Sequence, residues 1–160
     1  MKLGIAIAEV HSAEADLATA LLELGERHKV EHDVAHLTRT LAENARARMA
    51  KLESHGERYD ESRSAGDGDG GGLLSTLREK GAELAGRRSE TGLLLLRDVR
   101  KLHLLAAEAS INWTILGQGA QAARDSELLA TVSECHPETR RTLRWTTTKL
   151  KEAAPQVLTS

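Results

Sequence analysis

Three residues of this sequence could supply ligands to a metal ion if the fold brings them together: Glu14, His55 and His136. Carboxylate oxygens and imidazole nitrogens are the donors from which iron, manganese and zinc sites in proteins are built. Each of the three falls at an inward-facing position of a separate helical segment. The sequence therefore allows a mono- or dinuclear metal site that would need one further ligand.

Arg48 favours a different use of the same glutamate. If the turn between the first two helical segments is centred near residue 31, Glu14 and Arg48 are equally far from that turn and face each other. A guanidinium and a carboxylate in this position form a charge-assisted, bidentate pair. A guanidinium would also repel a divalent cation, so we predict a buried structural ion pair between Glu14 and Arg48 as the alternative to a metal site.

A second group of side chains could line a pocket. Counting about a turn near residue 124 places Asn112 and Trp113 at the level of His136. These neighbours are sufficient for a hydrogen-bonded core histidine. They also fit a small-molecule pocket, because ligands often bind between the helices of a bundle. The sequence leaves both interpretations open.

Four segments with helical periodicity position these residues. The first carries inward-facing residues from Ile7 to His28, and the second carries them from Val34 to Tyr59, with Asp33 as its predicted N-cap. The third runs from about residue 90 to 124. The fourth begins near Asp125 or Ser126, either of which could cap it. Together they predict an all-α protein folded as an antiparallel four-helix bundle.

Two prolines fall within or near the end of the fourth segment. A proline inside a helix removes one backbone hydrogen bond and clashes with the preceding turn. We therefore expect Pro137 to bend or divide this helix, and Pro155 to end it.

The connection between the second and third helices is long. Residues 62–72 read SRSAGDGDGGG, which predicts a flexible linker, and residues 73–88 have the pattern of a short amphipathic helix. Short turns make the helices of each pair antiparallel, whereas this long crossover allows the second and third helices to run parallel. With this order of helices, the chain resembles the ferritin-like superfamily over nearly its whole length, as one domain spanning residues 1–160.

The resemblance implies a fold, but the metal motif of that family is incomplete here. Ferritin-like di-metal proteins place one Glu on each of two helices and a Glu-x-x-His pair on each of the others. Leu52 stands where a glutamate should precede His55, and Glu134 lies only two residues before His136. We therefore expect a non-enzymatic bundle without cofactor that acts as a structural or interaction protein. The alternative is a protein that binds iron, manganese or zinc and serves in redox chemistry or storage.

Composition limits the possible partners. The 160 residues carry a net charge of −2, only 2% aromatic residues and one cysteine. Low aromatic content and the absence of a basic field argue against nucleic acid. No apolar stretch approaches the roughly 20 residues of a membrane span, and we expect a cytoplasmic protein.

The third helix carries an apolar excess outside its inward-facing side. Leu104, Ile111 and Ile115 fall on the side that is polar earlier in the helix. Such a surface should be covered, either by the short helix at 73–88 or by another subunit. The sequence therefore predicts a homo-oligomer, most simply a dimer.

Overall fold

A computed structural model describes residues 2–59 and 91–160 of the chain. Within these two ranges the structure contains helices and turns and no strand, which confirms the all-α prediction. The predicted linker at 62–72 and the short helix at 73–88 lie outside the described residues. Four helices fill the described ranges: α1 (Leu3–Arg27), α2 (His32–Arg58), α3 (Thr91–Ala122) and α4 (Ser126–Leu158).

Contacts along α1 establish the direction of its neighbours. Helix α1 packs against both α2 and α3. The end of α1 lies beside the start of α3, where His28 contacts Asp98. The start of α1 lies beside the end of α3, where Leu3 approaches Gly119. Helices α1 and α3 are therefore antiparallel, and the short turn after Arg27 makes α1 and α2 antiparallel as well.

Helix α4 packs against α3 and α2 on the other side of the bundle. The aromatic hydroxyl of Tyr59, just after α2, donates to Asp125 at the start of α4, over 2.6 Å. Gly92, at the start of α3, lies against Val157 near the end of α4. The described helices thus form a four-helix bundle in which Tyr59 and Gly92 lie at opposite ends.

The interior consists of two apolar clusters. One surrounds Leu17, Leu21 and Leu102 and extends toward the turn between α1 and α2. The other surrounds Leu52, Leu116 and Leu128 and extends toward the turn between α3 and α4. Burial of these aliphatic side chains is the main force that holds the helices together. Between the clusters lies a layer of buried polar side chains.

The turn between α3 and α4 is closed by backbone hydrogen bonds. The amide of Asp125 donates to Ala120 O over 3.0 Å, and the amide of Arg124 donates to Gln121 O over 3.1 Å, which is the pairing of a Schellman motif. Arg124 adopts the left-handed conformation that this motif requires, with φ 55°. The side chain of Asp125 then accepts from the Leu128 amide, which confirms Asp125 as the N-cap of α4.

Two local predictions at helix ends were wrong, and one of the two alternatives for Pro137 is excluded. Helix α2 begins at His32, so Asp33 lies in its first turn and the N-cap is Glu31. Helix α4 continues past Pro155 to Leu158, and Pro137 does not divide it. Both prolines are exposed. The carbonyl groups that lose a partner therefore lie on the solvent side, where water can hydrogen-bond to them.

Helices α1 and α2 approach closely at Gly25, and this contact gives a prediction. A Cβ atom at this position would collide with the hydroxyl oxygen of Thr38. That hydroxyl cannot move freely, because it is buried and donates to the Val34 carbonyl over 2.8 Å. We expect Gly25→Ala to lower the free energy of unfolding by about 1–3 kcal/mol, measured by urea denaturation.

Gly56 provides the matched control, since it also lies in a helix. A Cβ atom at this position would meet only Ile7, at an ordinary distance of 3.8 Å. Gly56→Ala should therefore raise the free energy of unfolding by about 0.5–1 kcal/mol, as expected for alanine in a helix. Equal effects of the two substitutions would contradict the close approach of α1 and α2.

Candidate functional site

The polar layer between the two apolar clusters is centred on Glu14, whose side chain is completely buried. Its carboxylate accepts a hydrogen bond from one residue of each other helix. Arg48 of α2 donates through Nε to Oε1 over 3.0 Å and through Nη2 to Oε2 over 2.7 Å. Trp113 of α3 donates to Oε1 over 2.7 Å, and Thr139 of α4 donates to the same oxygen over 2.5 Å.

These contacts satisfy the needs of a buried charge. An ionised carboxylate inside a protein is tolerated only when it is paired and hydrogen-bonded. Arg48, itself 4% exposed, supplies the opposite charge in bidentate geometry. The indole and the hydroxyl supply the remaining donors. Glu14 and Arg48, which lie equally far from the α1–α2 turn in the sequence, are thus in direct contact, and the site links all four helices through one carboxylate.

His55 lies in a separate cluster near the end of α2. Arg58 donates from Nη2 to His55 Nδ1 over 2.7 Å. Because arginine can only donate, Nδ1 is an acceptor, and the proton of the neutral ring is on Nε2. That nitrogen lies 2.9 Å from the Thr131 hydroxyl and donates to it. Both ring nitrogens of His55 are therefore engaged, away from Glu14.

His136, Asn112 and Trp113 turn toward three different partners. The Nε2 atom of His136 lies 2.9 Å from the hydroxyl of Ser110. The amide of Asn112 donates to the Glu9 carbonyl over 3.3 Å, and Trp113 is directed to Glu14 as described above. The polar atoms of the three residues therefore do not converge on one space. His136 matches the hydrogen-bonded histidine that the sequence left open.

The three residues considered as metal ligands do not form a cluster. Glu14 is held by Arg48, while His55 and His136 have the separate partners given above. Across the two described ranges, no group of three or more His, Cys, Asp or Glu side chains is arranged to hold a metal ion.

The buried Cys135 lies near the polar layer around Glu14, and burial raises the pKa of its thiol. A protonated thiol is a poor nucleophile.

Sequence reasoning missed several polar contacts. The contact between Thr139 and Glu14 was not predicted, since an inward-facing threonine on α4 is equally compatible with apolar surroundings. Sequence reasoning also missed the pair formed by the buried His28 and Asp98, whose atoms are 2.8 Å apart. Arg27 binds both oxygens of Asp98, each over 2.8 Å, beside a shallow pocket of about 30 Å³. The inward spacing of His28 was the available signal, but its partner lies 70 residues away in the sequence.

Comparisons with protein-family models, curated proteins and solved structures found no match to this chain. Within residues 2–59 and 91–160, none of the helices combines the length and the apolar character needed to cross a membrane. The fold and the polar layer define the class of the molecule as a helical bundle organised around a buried ion pair.

The ion pair gives a stability prediction. Arg48→Met removes the guanidinium but leaves a buried carboxylate, so we expect the free energy of unfolding to fall by about 3–5 kcal/mol. In the double variant Glu14→Gln/Arg48→Met the charge is gone, and an amide oxygen still accepts from Trp113 and Thr139. The double variant should therefore be more stable than Arg48→Met alone, as measured by urea denaturation.

The control for this pair is Arg46→Met, which changes an exposed arginine two residues away on α2. It should shift the free energy of unfolding by less than about 0.5 kcal/mol. If Arg48→Met cost no more than Arg46→Met, the proposed role of the buried pair would be wrong.

The histidines give a pH prediction. Burial and the charge of Arg58 lower the pKa of His55 from the ordinary 6.5, and burial and the charge of Arg140 lower the pKa of His136 in the same direction. The unfolded chain then binds protons more readily than the folded one. The two rings contribute their full stability above pH 6.5, and stability falls as the pH decreases through 6.5 toward the lowered folded-state pKa values.

Urea denaturation between pH 7.5 and about pH 5, with NMR titration of the rings, would measure this effect. His136→Gln should reduce the slope of stability against pH. His32→Gln, at an exposed position, is the matched control and should leave the slope unchanged. A pKa above 6.5 for either His55 or His136 would contradict the prediction.

Proposed function

We propose that this chain is a non-enzymatic interaction protein, a ferritin-like four-helix bundle without the di-metal centre, which assembles with a second copy of itself through the outer face of α3. The observation that carries the proposal is the exposure of large aliphatic side chains on that face. Leu104, Ile111 and Ile115 are 59%, 60% and 58% exposed. Clustered apolar side chains on a surface are typical of protein interaction sites.

The ferritin-like part of the proposal is supported by the positions of the helix ends. Tyr59, at the end of the first described range, and Gly92, near the start of the second, lie at opposite ends of the bundle. Helices α2 and α3 also run in the same direction, since each is antiparallel to α1. A crossover between the second and third helices has these properties.

The structural use of the polar layer is supported by Arg48. In ferritin-like di-metal proteins, inward-facing carboxylates surround cations in the bundle core. Here a guanidinium neutralises Glu14 from a distance of 2.7 Å. A second cation beside the same carboxylate would face electrostatic repulsion from Arg48. We therefore infer that this layer holds the helices together. The protein then acts through its surface, by association with a second copy.

Self-association is the testable consequence. The purified chain should sediment at twice its mass of 17.4 kDa at concentrations of about 100 µM and dissociate on dilution. Leu104→Ser/Ile111→Ser should shift the protein to monomer, because each exposed aliphatic group would otherwise be removed from water at the interface. Analytical ultracentrifugation measures both effects.

Val30→Ser is the matched control, since Val30 is 85% exposed and lies in the α1–α2 turn rather than on the outer face of α3. It should leave the dimer intact. A wild-type chain that remains monomeric throughout would refute self-association.

The chain can also be incubated with iron, manganese or zinc and then dialysed. A stoichiometric ion that is retained by the wild type and lost in folded Glu14→Gln would refute the structural role of the layer.

A further inference from the structure

Between Leu93 and Ile115, seven residues of α3 form a continuous stripe on the side of the helix that faces away from the bundle. All seven are exposed. At 100° per residue they fall within an arc of about 80°, so they share one face. We call them the outer stripe of α3: Leu93, Arg97, Arg100, Leu104, Glu108, Ile111 and Ile115.

The outer stripe is symmetric in its spacing, and two of its three pairs of positions are also complementary in their chemistry. The steps from Leu93 to Leu104 are four, three and four residues, and the steps from Leu104 to Ile115 repeat them in the reverse order. Two of the three equivalent pairs of positions around Leu104 are complementary. Leu93 and Ile115 are both apolar, and Arg100 on one side corresponds to Glu108 on the other. An interface around a two-fold axis requires such self-complementarity. The exposed Gln118 and Ala122 continue this face toward the end of α3.

We propose, building on the self-association proposed above, that α3 pairs antiparallel with α3 of a second copy, about a two-fold axis that passes beside Leu104. Leu104 then meets Leu104 of the second copy. Arg100 lies opposite Glu108 of the second copy, and this ion pair occurs twice. Leu93 lies opposite Ile115, also twice. Arg97 lies opposite Ile111, where its aliphatic stem covers the apolar side chain and its charge reaches water.

Other registers of the same two helices are less favourable. A shift by one helical turn, with the axis between Leu104 and Glu108, places the Glu108 carboxylate opposite Leu104 and loses both ion pairs. A parallel arrangement places Arg100 opposite Arg100 and Glu108 opposite Glu108, so that like charges meet. Juxtaposed like charges disfavour an association. In the residues that the structure describes, Arg97, Arg100 and Glu108 form no ion pair within the chain, and all three are exposed.

The size of the stripe sets the expected affinity. It extends about 33 Å along α3, at 1.5 Å per residue. An interface built on a single helix face lies near the lower end of the range for specific association. A small interface leaves little free energy beyond the cost of association, so we expect a dissociation constant of about 1–10 µM, at which the dimer predominates at a concentration of about 100 µM.

Charge reversal tests the register. Arg100→Glu and Glu108→Arg each place like charges opposite each other at two points, and each should weaken dimerisation about tenfold or more. Arg100→Glu/Glu108→Arg restores opposite charges in the antiparallel register and should restore the wild-type dissociation constant to within about threefold. Arg39→Glu, an exposed charge reversal on α2, is the matched control and should have little effect.

Cysteine cross-linking tests the position of the axis. Leu104→Cys places two thiols side by side at the axis, so mild oxidation should produce a disulfide-linked dimer. Glu108→Cys places the two thiols about 12 Å apart along the helices, which is too far for a disulfide. The native Cys135 is 2% exposed and stays in both variants, and the wild type provides the background.

The outcomes separate this inference from the proposed function. Rescue by the double charge reversal, together with cross-linking at position 104 but not at 108, would support the register. A dimer that ignores the charge reversals or cross-links better at 108 would overturn the register and leave self-association standing. A wild-type chain that is monomeric at all concentrations would overturn both, and would indicate that the stripe is covered by a different chain or segment.

Discussion

The buried carboxylate of Glu14 is the constraint on which the rest of the bundle depends. A charge at the centre of an apolar interior must be neutralised and hydrogen-bonded. One residue from each of the other three helices meets this requirement: Arg48, Trp113 and Thr139. A helix that slid along its neighbours or rotated about its axis would leave the carboxylate incompletely satisfied. The aliphatic clusters on either side tolerate such movements better, because contact between apolar side chains is not directional.

The polar layer also distinguishes the interior of the protein from its surface. At the centre of the bundle, a guanidinium and a carboxylate neutralise each other. Four large aliphatic side chains remain exposed on the outer side of α3, where they alternate with charges of both signs. This contrast is the basis of our proposal that the protein acts through association.

Much of the fold and part of the site followed from local rules. The apolar periodicity predicted the four described helices, and counting from the short α1–α2 turn placed Glu14 level with Arg48. Such counting works because a short turn leaves little freedom in the register of two antiparallel helices. It was less informative for His136, since residues at one level can point in different directions around a helix. The rule that proline ends helices failed at Pro155 because the unpaired carbonyl there faces solvent.

The sequence by itself therefore determined the helices, the short turns and the presence of charges at inward-facing positions, since all of these depend on neighbours within a few residues. Only the tertiary structure decided that Trp113 and Thr139 join Arg48 at Glu14, that His28 pairs with Asp98, and which side of α3 stays open to solvent. These features depend on contacts between residues 70 or more positions apart, as in the Trp113 and Thr139 hydrogen bonds. The directions of side chains around each helix axis set such contacts, and they are established only when the helices pack.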